Sequence, residues 1–260
     1  MNFTQSYAEA YDLLNEGKPY EDEVAFMLKI WSDVSGGLQN PNSVLDLGCG
    51  SGLHLSHFDN DVLKVGVDLS KPMLETAGKR SIPHARFVNS SIGDARLSEQ
   101  FDLVYSLFHV LSYQTTEDEL LAMFETISLH LAEEGVCVID FWHRAAWDLD
   151  PPVTRITKRR NHETKVIRIS SPSCDRLTGI VDIEMDVFVE STNSSANHFE
   201  HFTESHRMRA YTLSELSLAA KQSNLIVADS GAWMSREGQV QSSSWYGWLG
   251  LTKTPSQQEQ

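Results

Sequence analysis

The sequence has few cysteines and no long apolar run. Its three cysteines, Cys49, Cys137 and Cys174, form neither an even set nor a Cys-x-x-Cys pair, so we expect reduced thiols and no metal site. No stretch approaches the roughly 20 apolar residues that a membrane helix requires. The first residues lack the basic and apolar regions of a signal peptide. The sequence therefore predicts no membrane partner and a cytoplasmic location.

Basic residues are scarce beside acidic ones, with 21 Lys and Arg against 36 Asp and Glu and a formal net charge of −15. A negative charge of this size repels phosphate backbones and anionic lipids, so we expect no nucleic-acid partner. The imbalance is uneven, because residues 151–210 carry 9 basic and 8 acidic side chains. This shift in composition indicates a separate module with another partner.

Strand and helix patterns alternate before residue 150. Short apolar runs predict buried strands at 43–47, 62–69, 85–88, 101–107 and 135–141. Amphipathic stretches predict a helix at 117–131 and another after Ser70, which can cap it. Two short helices are expected between residues 4 and 34. Because parallel neighbours need long crossover connections, the pattern predicts an α/β fold with a parallel sheet and helices on both faces.

Residues 151–210 have a different pattern. Runs with period-two alternation predict antiparallel hairpins, with strands at 165–170, 179–189 and 199–211 and turns at 174–179 and 191–197. A helix at 212–223 opens with the capping box Thr212-Leu213-Ser214-Glu215, and strands follow at 225–227 and 245–251. We therefore predict a core of residues 1–150 and 211–254 with a helical cap at 1–40, a β-rich substrate-binding insert at 151–210, and a flexible tail at 255–260.

The first strand runs into a glycine turn, Gly48-Cys49-Gly50-Ser51-Gly52. Backbone without Cβ atoms at the carboxyl end of a parallel strand can lie directly against a ligand. Leu53 stands where a dinucleotide fingerprint has its third glycine, and no Gly-Lys-Ser/Thr of a phosphate loop follows. Asp46 places a negative charge beside the turn and favours a ligand with an amine or a sulfonium. Asp68 ends the second strand, where a carboxylate can accept both hydroxyls of an adenosine ribose.

Four segments resemble the class I S-adenosylmethionine-dependent methyltransferases: VLDLGCGSGLH at 44–54, VGVDLSKPML at 65–74, FDLVYSLFHVLSY at 101–113 and LAEEGVCVIDF at 131–141. The resemblance covers most of the first 150 residues, with the strand order intact. It implies a Rossmann-like sheet that binds S-adenosyl-L-methionine and yields S-adenosyl-L-homocysteine.

The resemblance also implies a set of cofactor contacts. The resemblance implies that Asp46 holds the ammonium side of the cofactor and that Asp68 holds its ribose. The family usually has an Asp after the third strand to accept the adenine amine, and Ser91 stands there instead, able to accept one hydrogen bond. The cofactor-binding residues expected are Asp46, Gly48, Cys49, Gly50, Asp68, Leu69, Met73, Ser91, Ile92 and Leu107.

The flanking features resemble, less specifically, small-molecule N-methyltransferases, including those that dimethylate the amine of nucleotide-linked amino sugars. The likeness consists of the YAEAYDLL helix, a cluster after the fourth strand, and an insert ending in SHRMRAYT. It implies that Tyr11 orients the acceptor near the reacting centre. His109 follows the fourth strand, where a histidine either has a structural role or takes the proton of an ammonium acceptor near neutral pH. The amino-sugar enzymes have a histidine at the position of Ser112, which is a departure.

Acceptor contacts are expected from Tyr113, Trp142, His143, His206 and Arg209. A basic run, Arg155 to Arg160, offers contacts to a diphosphate or forms a solvated edge. The predicted function is S-adenosylmethionine-dependent N-methylation of a small amino compound such as a nucleotide-linked amino sugar.

Two alternative functions are compatible with the sequence. They are O-methylation of a small hydroxylated metabolite, and a methyltransferase-like protein that binds without turnover. Leu53 disfavours a dehydrogenase. The acidic net charge, and Ser106-Leu107-Phe108-His109 in place of Asn-Pro-Pro-Tyr, disfavour a nucleic-acid methyltransferase. A homodimer is compatible with the sequence, which is silent on assembly.

Overall fold

Two β-sheets organise the chain in the computed structural model, which describes residues 5–36, 40–191, 198–235 and 239–255. The first part contains the helices α1 (Gln5–Leu14), α2 (Tyr20–Val34), α3 (Lys71–Lys79) and α4 (Glu117–His130). Its strands are β1 (Ser43–Leu47), β2 (Leu63–Asp68), β3 (Ala85–Asn89), β4 (Phe101–Ser106) and β5 (Leu131–Trp142).

The second part begins with the short helix α5 (Arg144–Leu149). Four strands follow, β6 (Arg155–Arg160), β7 (Thr164–Asp175), β8 (Ile180–Ser191) and β9 (His198–Arg209). The chain ends with α6 (Leu213–Gln222), β10 (Leu225–Ala232) and β11 (Tyr246–Lys253).

The larger sheet has seven strands in the order β10-β11-β5-β4-β1-β2-β3. Strands β1 to β5 pair in parallel, which confirms the predicted Rossmann-like α/β class. Strand β11 runs antiparallel to both β5 and β10, so the sheet is mixed. Consecutive strands such as β10 and β11 can pair antiparallel because no crossover helix is needed between them.

Helices cover both faces of this sheet. On one face, Phe124 of α4 and Leu216 of α6 pack with Leu45. On the other face, Met27 of α2 packs with Val44. These side chains are buried, and each contributes roughly 1.5–3 kcal/mol relative to exposure. Leu45 and Val44 point to opposite faces because successive residues of a strand alternate.

Helix starts agree with their sequence signals. Ser70 accepts a hydrogen bond from the Met73 amide at 3.4 Å and caps α3. Thr212 and Glu215 form the predicted capping box of α6, and Thr116 begins α4 in the same way. A cap of this type contributes about 1 kcal/mol.

The smaller sheet is antiparallel throughout, in the order β6-β7-β8-β9. It confirms the predicted hairpins and adds β6, which sequence patterning missed because Arg155–Arg160 is a basic, mostly exposed edge strand without apolar alternation. The six-residue helix α5 was also missed. The predicted turn at 191–197 lies outside the described residues beyond Ser191, as do residues 1–4 of the cap and 256–260 of the tail.

The insert sheet packs against α1. Tyr7 and Leu14 of α1 are buried against Val166 of β7 and Val187 of β8. Helix α1 therefore lies between the smaller sheet and the carboxyl ends of the core strands. Within the described ranges, no helix is both long and apolar enough to cross a membrane.

Candidate active site

A cavity of about 660 Å³ lies at the carboxyl ends of the core strands, between the glycine turn and the insert sheet. Ligands of open parallel sheets bind at this edge. Both predicted catalytic residues line it, Tyr11 and His109. The predicted cofactor residues that line it are Gly48, Cys49, Gly50, Asp68, Leu69, Met73, Ser91, Ile92 and Leu107. Three predicted acceptor residues do so as well, Tyr113, Trp142 and His206.

The glycine turn presents bare backbone to the cavity. Gly48 and Gly50 have φ values of 91° and 53°, in the left-handed region that favours glycine. A Cβ atom on Gly48 would lie 2.6 Å from Cγ1 of Val110. The amides of Gly48 and Cys49 both donate to the Val67 carbonyl, at 2.8 and 3.0 Å, which fixes the turn against β2.

Asp68 joins the turn to the next helix. Its Oδ2 accepts from the Gly50 amide and its Oδ1 from the Ser70 amide, each at 2.8 Å. Burial raises the pKa of Asp68, and these two amide bonds partly offset the rise. Each carboxylate oxygen keeps capacity for a second hydrogen bond, so hydroxyls in the cavity can be accepted.

Asp46 lies behind the turn and is 2% exposed. Asp46 is not among the residues that line the cavity. Its Oδ2 makes no well-aligned hydrogen bond to a described residue. Burial, reinforced by the negative charge of Asp68, raises the pKa of Asp46 to about 8, and the neighbouring Tyr105 hydroxyl offsets part of the rise. A buried carboxylate in this state is stabilised by a cation, because an opposite charge compensates its desolvation.

Ser91 has an acidic neighbour that the sequence analysis missed. Its Oγ donates to Oδ2 of Asp94 at 2.6 Å, and both residues line the cavity. Asp94 follows Ser91 by three residues, so a search for an acid within one turn of the expected position would have found it. The pair offers a charged acceptor in the region where the family has its Asp.

Helix α1 is tied to the glycine turn beside Tyr11. Ser51 Oγ donates to Oδ1 of Asp12 at 2.7 Å. Arg80 pairs with Asp12 and donates from Nε to the Ser51 carbonyl at 2.6 Å. Burial raises the pKa of Tyr11 well above its ordinary value, so its hydroxyl keeps its proton. No short motif marks Asp12 or Arg80, since they meet only in the folded chain.

A second polar cluster, formed by Lys18, Glu23 and His54, lies next to Tyr20 at the cavity. Glu23 pairs with Lys18, and His54 Nε2 lies 2.7 Å from Oε2 of Glu23. Lys18 Nζ lies 4.4 Å from the centre of the Tyr20 ring and 4.7 Å from that of Phe108. Burial lowers the pKa of both Lys18 and His54. The cluster joins the start of α2 to the turn region.

His109 is held by one carboxylate, that of Asp140. Phe108 and His109 have φ values of 67° and 64°, an uncommon left-handed pair outside glycine. The His109 amide donates to Oδ1 of Asp140 at 2.8 Å, and its ring Nδ1 lies 3.1 Å from Oδ2. The ring stacks on Tyr246 with centres 4.4 Å apart. Nδ1 makes no aligned hydrogen bond to a described residue, so the ring is positioned by its proximity to the Asp140 carboxylate and by its stacking on Tyr246.

The insert sheet supplies the opposite wall. Tyr113 Oη and His206 Nδ1 are joined by a hydrogen bond of 2.8 Å. Burial, together with the positive charge of Arg168, lowers the pKa of His206 to about 4, so this ring is neutral at pH 7. Arg168 reaches the cavity from β7, with Nη1 3.2 Å from Tyr7 Oη. No sequence motif marks Arg168, which reaches the cavity only through the pairing of β7 with β8.

Two predicted acceptor residues lie outside the cavity lining. Arg209 pairs with Glu215 at 2.7 Å and stacks over Tyr211. It points away because it has the opposite strand parity to His206. His143 precedes α5, and its Nδ1 lies 3.2 Å from the Ser244 carbonyl. The basic run of β6 is also outside the lining.

Comparisons with known proteins agree with this geometry. Residues 44–135 match the family model of a methyltransferase domain. Over 167 residues the chain is 34% identical to dTDP-3-amino-3,4,6-trideoxy-alpha-D-glucopyranose N,N-dimethyltransferase of Streptomyces venezuelae, covering 63% of this chain and 68% of that enzyme. The chain belongs to the class I S-adenosylmethionine-dependent methyltransferases. This methyltransferase is also 28% identical over 232 residues to dTDP-3-amino-3,6-dideoxy-alpha-D-glucopyranose N,N-dimethyltransferase of Streptomyces fradiae, covering 87% of this chain and 86% of the relative.

A solved structure supports the same fold for the methyltransferase. Streptomyces venezuelae DesVI superposes with a TM-score of 0.78 at 23% identity, covering 97% of this chain and 100% of DesVI. S-adenosylmethionine fits the site on two observations. Gly48 and Gly50 line the cavity with backbone that has no Cβ atom, and the buried carboxyl of Asp46 behind them can supply a negative charge for the cationic end of the cofactor.

Proposed function

We propose that this methyltransferase transfers methyl groups to the amine of a nucleotide-linked amino sugar. The observation that carries the proposal is the meeting of His109, held by Asp140, with Tyr11 and the glycine turn in one cavity. The relatives named above, which act on dTDP-linked amino sugars, supply the acceptor class. S-adenosylmethionine supplies the electrophilic methyl group when bound.

The cofactor is held, in this proposal, by groups of the core. Asp46 accepts the ammonium and Asp68 the ribose hydroxyls. Leu69 and Met73 flank the adenine, and Ser91 with Asp94 accepts its amine. Closure by α1 and the insert sheet excludes water, which strengthens each of these polar contacts.

Acceptor activation needs little acid–base help, because an amine is nucleophilic once neutral. The His109 ring takes the proton of the bound ammonium, while Asp140 positions the ring. The Tyr11 hydroxyl, kept protonated by burial, orients the acceptor. Trp142 forms an aromatic wall for positive charge. Alignment of the amine lone pair then provides most of the acceleration.

The test is a methyl-transfer assay with dTDP-linked 3-amino and 4-amino sugars, read by mass spectrometry. We expect products with one or two added methyl groups and no transfer to analogues that carry hydroxyl in place of the amine. Transfer to those hydroxyl analogues at an equal rate would establish O-methylation instead. Cofactor binding without turnover on any amine or hydroxyl acceptor would favour the binding protein.

Residue roles are tested by His109→Ala, Tyr11→Phe and Asp140→Asn. Loss of a positioned general base typically lowers turnover by about 10² or more. Asp140→Asn should lower kcat while S-adenosylhomocysteine affinity is kept, because the carboxylate that positions the His109 ring is lost. His201→Ala is the matched control, because His201 is an exposed histidine paired with Asp186 on the insert sheet. Near wild-type turnover in both His109→Ala and Tyr11→Phe would refute the assignment.

Three sequence-based expectations remain part of the proposal, namely a cytoplasmic location, no nucleic-acid partner and a homodimer. Cell fractionation, filter binding with duplex DNA and RNA, and light scattering test them in turn.

A further inference from the structure

Arg168 lines the cavity with a positively charged guanidinium. Its Nε is buried and has no hydrogen-bond partner in the described part of the chain. The guanidinium donates from Nη1 to the neutral Tyr7 hydroxyl at 3.2 Å. The buried carboxylate of Glu204 acts on the same hydroxyl with the opposite sign and raises the pKa that Arg168 lowers. A buried guanidinium nitrogen without a hydrogen-bond partner is costly, so such a group is suited to an anionic ligand that accepts from it.

The charges around the cavity are separated between its walls. Among the described lining residues, Arg168 is the one with a permanent positive charge. It lies on the insert side with Met185 and His206, and His206 is neutral at pH 7 because burial and the nearby guanidinium depress its pKa to about 4. The acidic lining residues of the core, including Asp68 and Asp94, lie on the cofactor side.

We propose that Arg168 binds the diphosphate of the methyl acceptor and thereby selects nucleotide-linked over free amino sugars. A guanidinium presents a planar fork of donors that matches phosphate oxygens. The acceptor is then held at its anionic end by the insert and at its amine by His109 and Tyr11. This inference rests on the proposed function and names the group through which the acceptor is recognised.

The binding test uses thymidine diphosphate as the probe, titrated calorimetrically into the enzyme saturated with S-adenosylhomocysteine. We expect Arg168→Ala to weaken diphosphate binding at least tenfold and Arg168→Lys to weaken it less, because lysine keeps the charge without the fork. Arg207→Ala is the matched control, since Arg207 lies on the outer face of the same sheet and pairs with Asp182. Unchanged diphosphate affinity in Arg168→Ala would overturn the inference.

The kinetic test compares a dTDP-linked amino sugar with the same amino sugar lacking the nucleotide. Arg168→Ala should raise KM for the linked acceptor at least tenfold, while S-adenosylhomocysteine affinity and KM for the free sugar stay within twofold. Methylation of the linked sugar with unchanged KM in the variant would refute the role of Arg168 and leave the proposed function intact. Arg168-dependent diphosphate binding with no methylation of any amino sugar would support the anion site and refute the proposed function.

Discussion

Cofactor binding should release a proton from Asp46. The carboxyl is 2% exposed, and burial raises its pKa to about 8. At pH 7 a group with that pKa is about 90% protonated. The positive ammonium of the cofactor favours the ionised form and so lowers the pKa in the complex. Binding at pH 7 should therefore release close to one proton.

The sign of the pH dependence follows from that release. Because the complex binds fewer protons than the free enzyme, affinity should rise with pH, by up to about tenfold per unit below pH 8. It should level off once the free carboxyl is ionised. Calorimetric titration with S-adenosylhomocysteine in two buffers of different ionisation enthalpy measures the released protons directly.

Asp46→Asn is the control, since asparagine keeps the shape and cannot titrate. It should bind more weakly, with no proton release and a flat pH profile. In the wild type the raised pKa also means that folded-state stability falls as pH rises from the ordinary aspartate range toward 8. Without cofactor, Asp46→Asn should not lose stability over this pH range. Thermal unfolding of the wild type and the variant at pH 6 and pH 8.5 measures the difference. A pH-independent wild-type affinity between pH 6 and 8, without proton release, would refute the reasoning.

Two further substitutions test the cofactor wall. Gly48→Ala should weaken S-adenosylhomocysteine binding at least tenfold, because the position has φ 91° and the added Cβ meets Val110. Gly78→Ala, where a Cβ meets nothing within 4 Å, should keep full affinity and stabilise α3 by up to about 1 kcal/mol. Equal affinity in the two variants would contradict this account of the turn. Asp94→Ala should weaken adenosine binding by roughly 2- to 10-fold, the loss of one hydrogen bond, and calorimetry showing no change would remove Asp94 from the site.

Sequence patterns predicted the core elements because their signals are local. Apolar runs marked the strands, and the capping residues Ser70 and Thr212 marked helix starts that the structure confirms. The ends were less well defined, and β5 begins at Leu131, four residues before the predicted strand. Strand β6 escaped because an exposed edge strand needs no apolar alternation. The antiparallel direction of β11 depends on pairing with β5 and β10, which no local pattern encodes.

The residues of the site also fall into two groups, those that a local motif marks and those that meet only in the folded chain. Residues within motifs, such as Gly48 and Asp68, could be predicted to reach the cavity from the sequence. The pairing of His109 with Asp140 was within reach, because β4 and β5 are neighbours and their carboxyl ends meet at one edge. The face of each insert strand that points into the cavity could not be predicted. A register shift of one residue turns every side chain of a strand to the opposite face of the sheet.

The insert shows why that reversal matters for function. His206 and Arg209 belong to one strand, yet the register places the neutral histidine in the cavity and pairs the arginine with Glu215 on the outside. The positive charge inside comes from Arg168 on another strand. Composition had already indicated that the insert differs from the acidic core. In the folded chain, this difference in composition becomes a difference between the two sides of the cavity. The core side suits a cationic cofactor, and the insert side offers one guanidinium to an anion. In the proposed function, the cofactor lies on the core side, the acceptor amine meets His109 and Tyr11, and the acceptor phosphates meet Arg168.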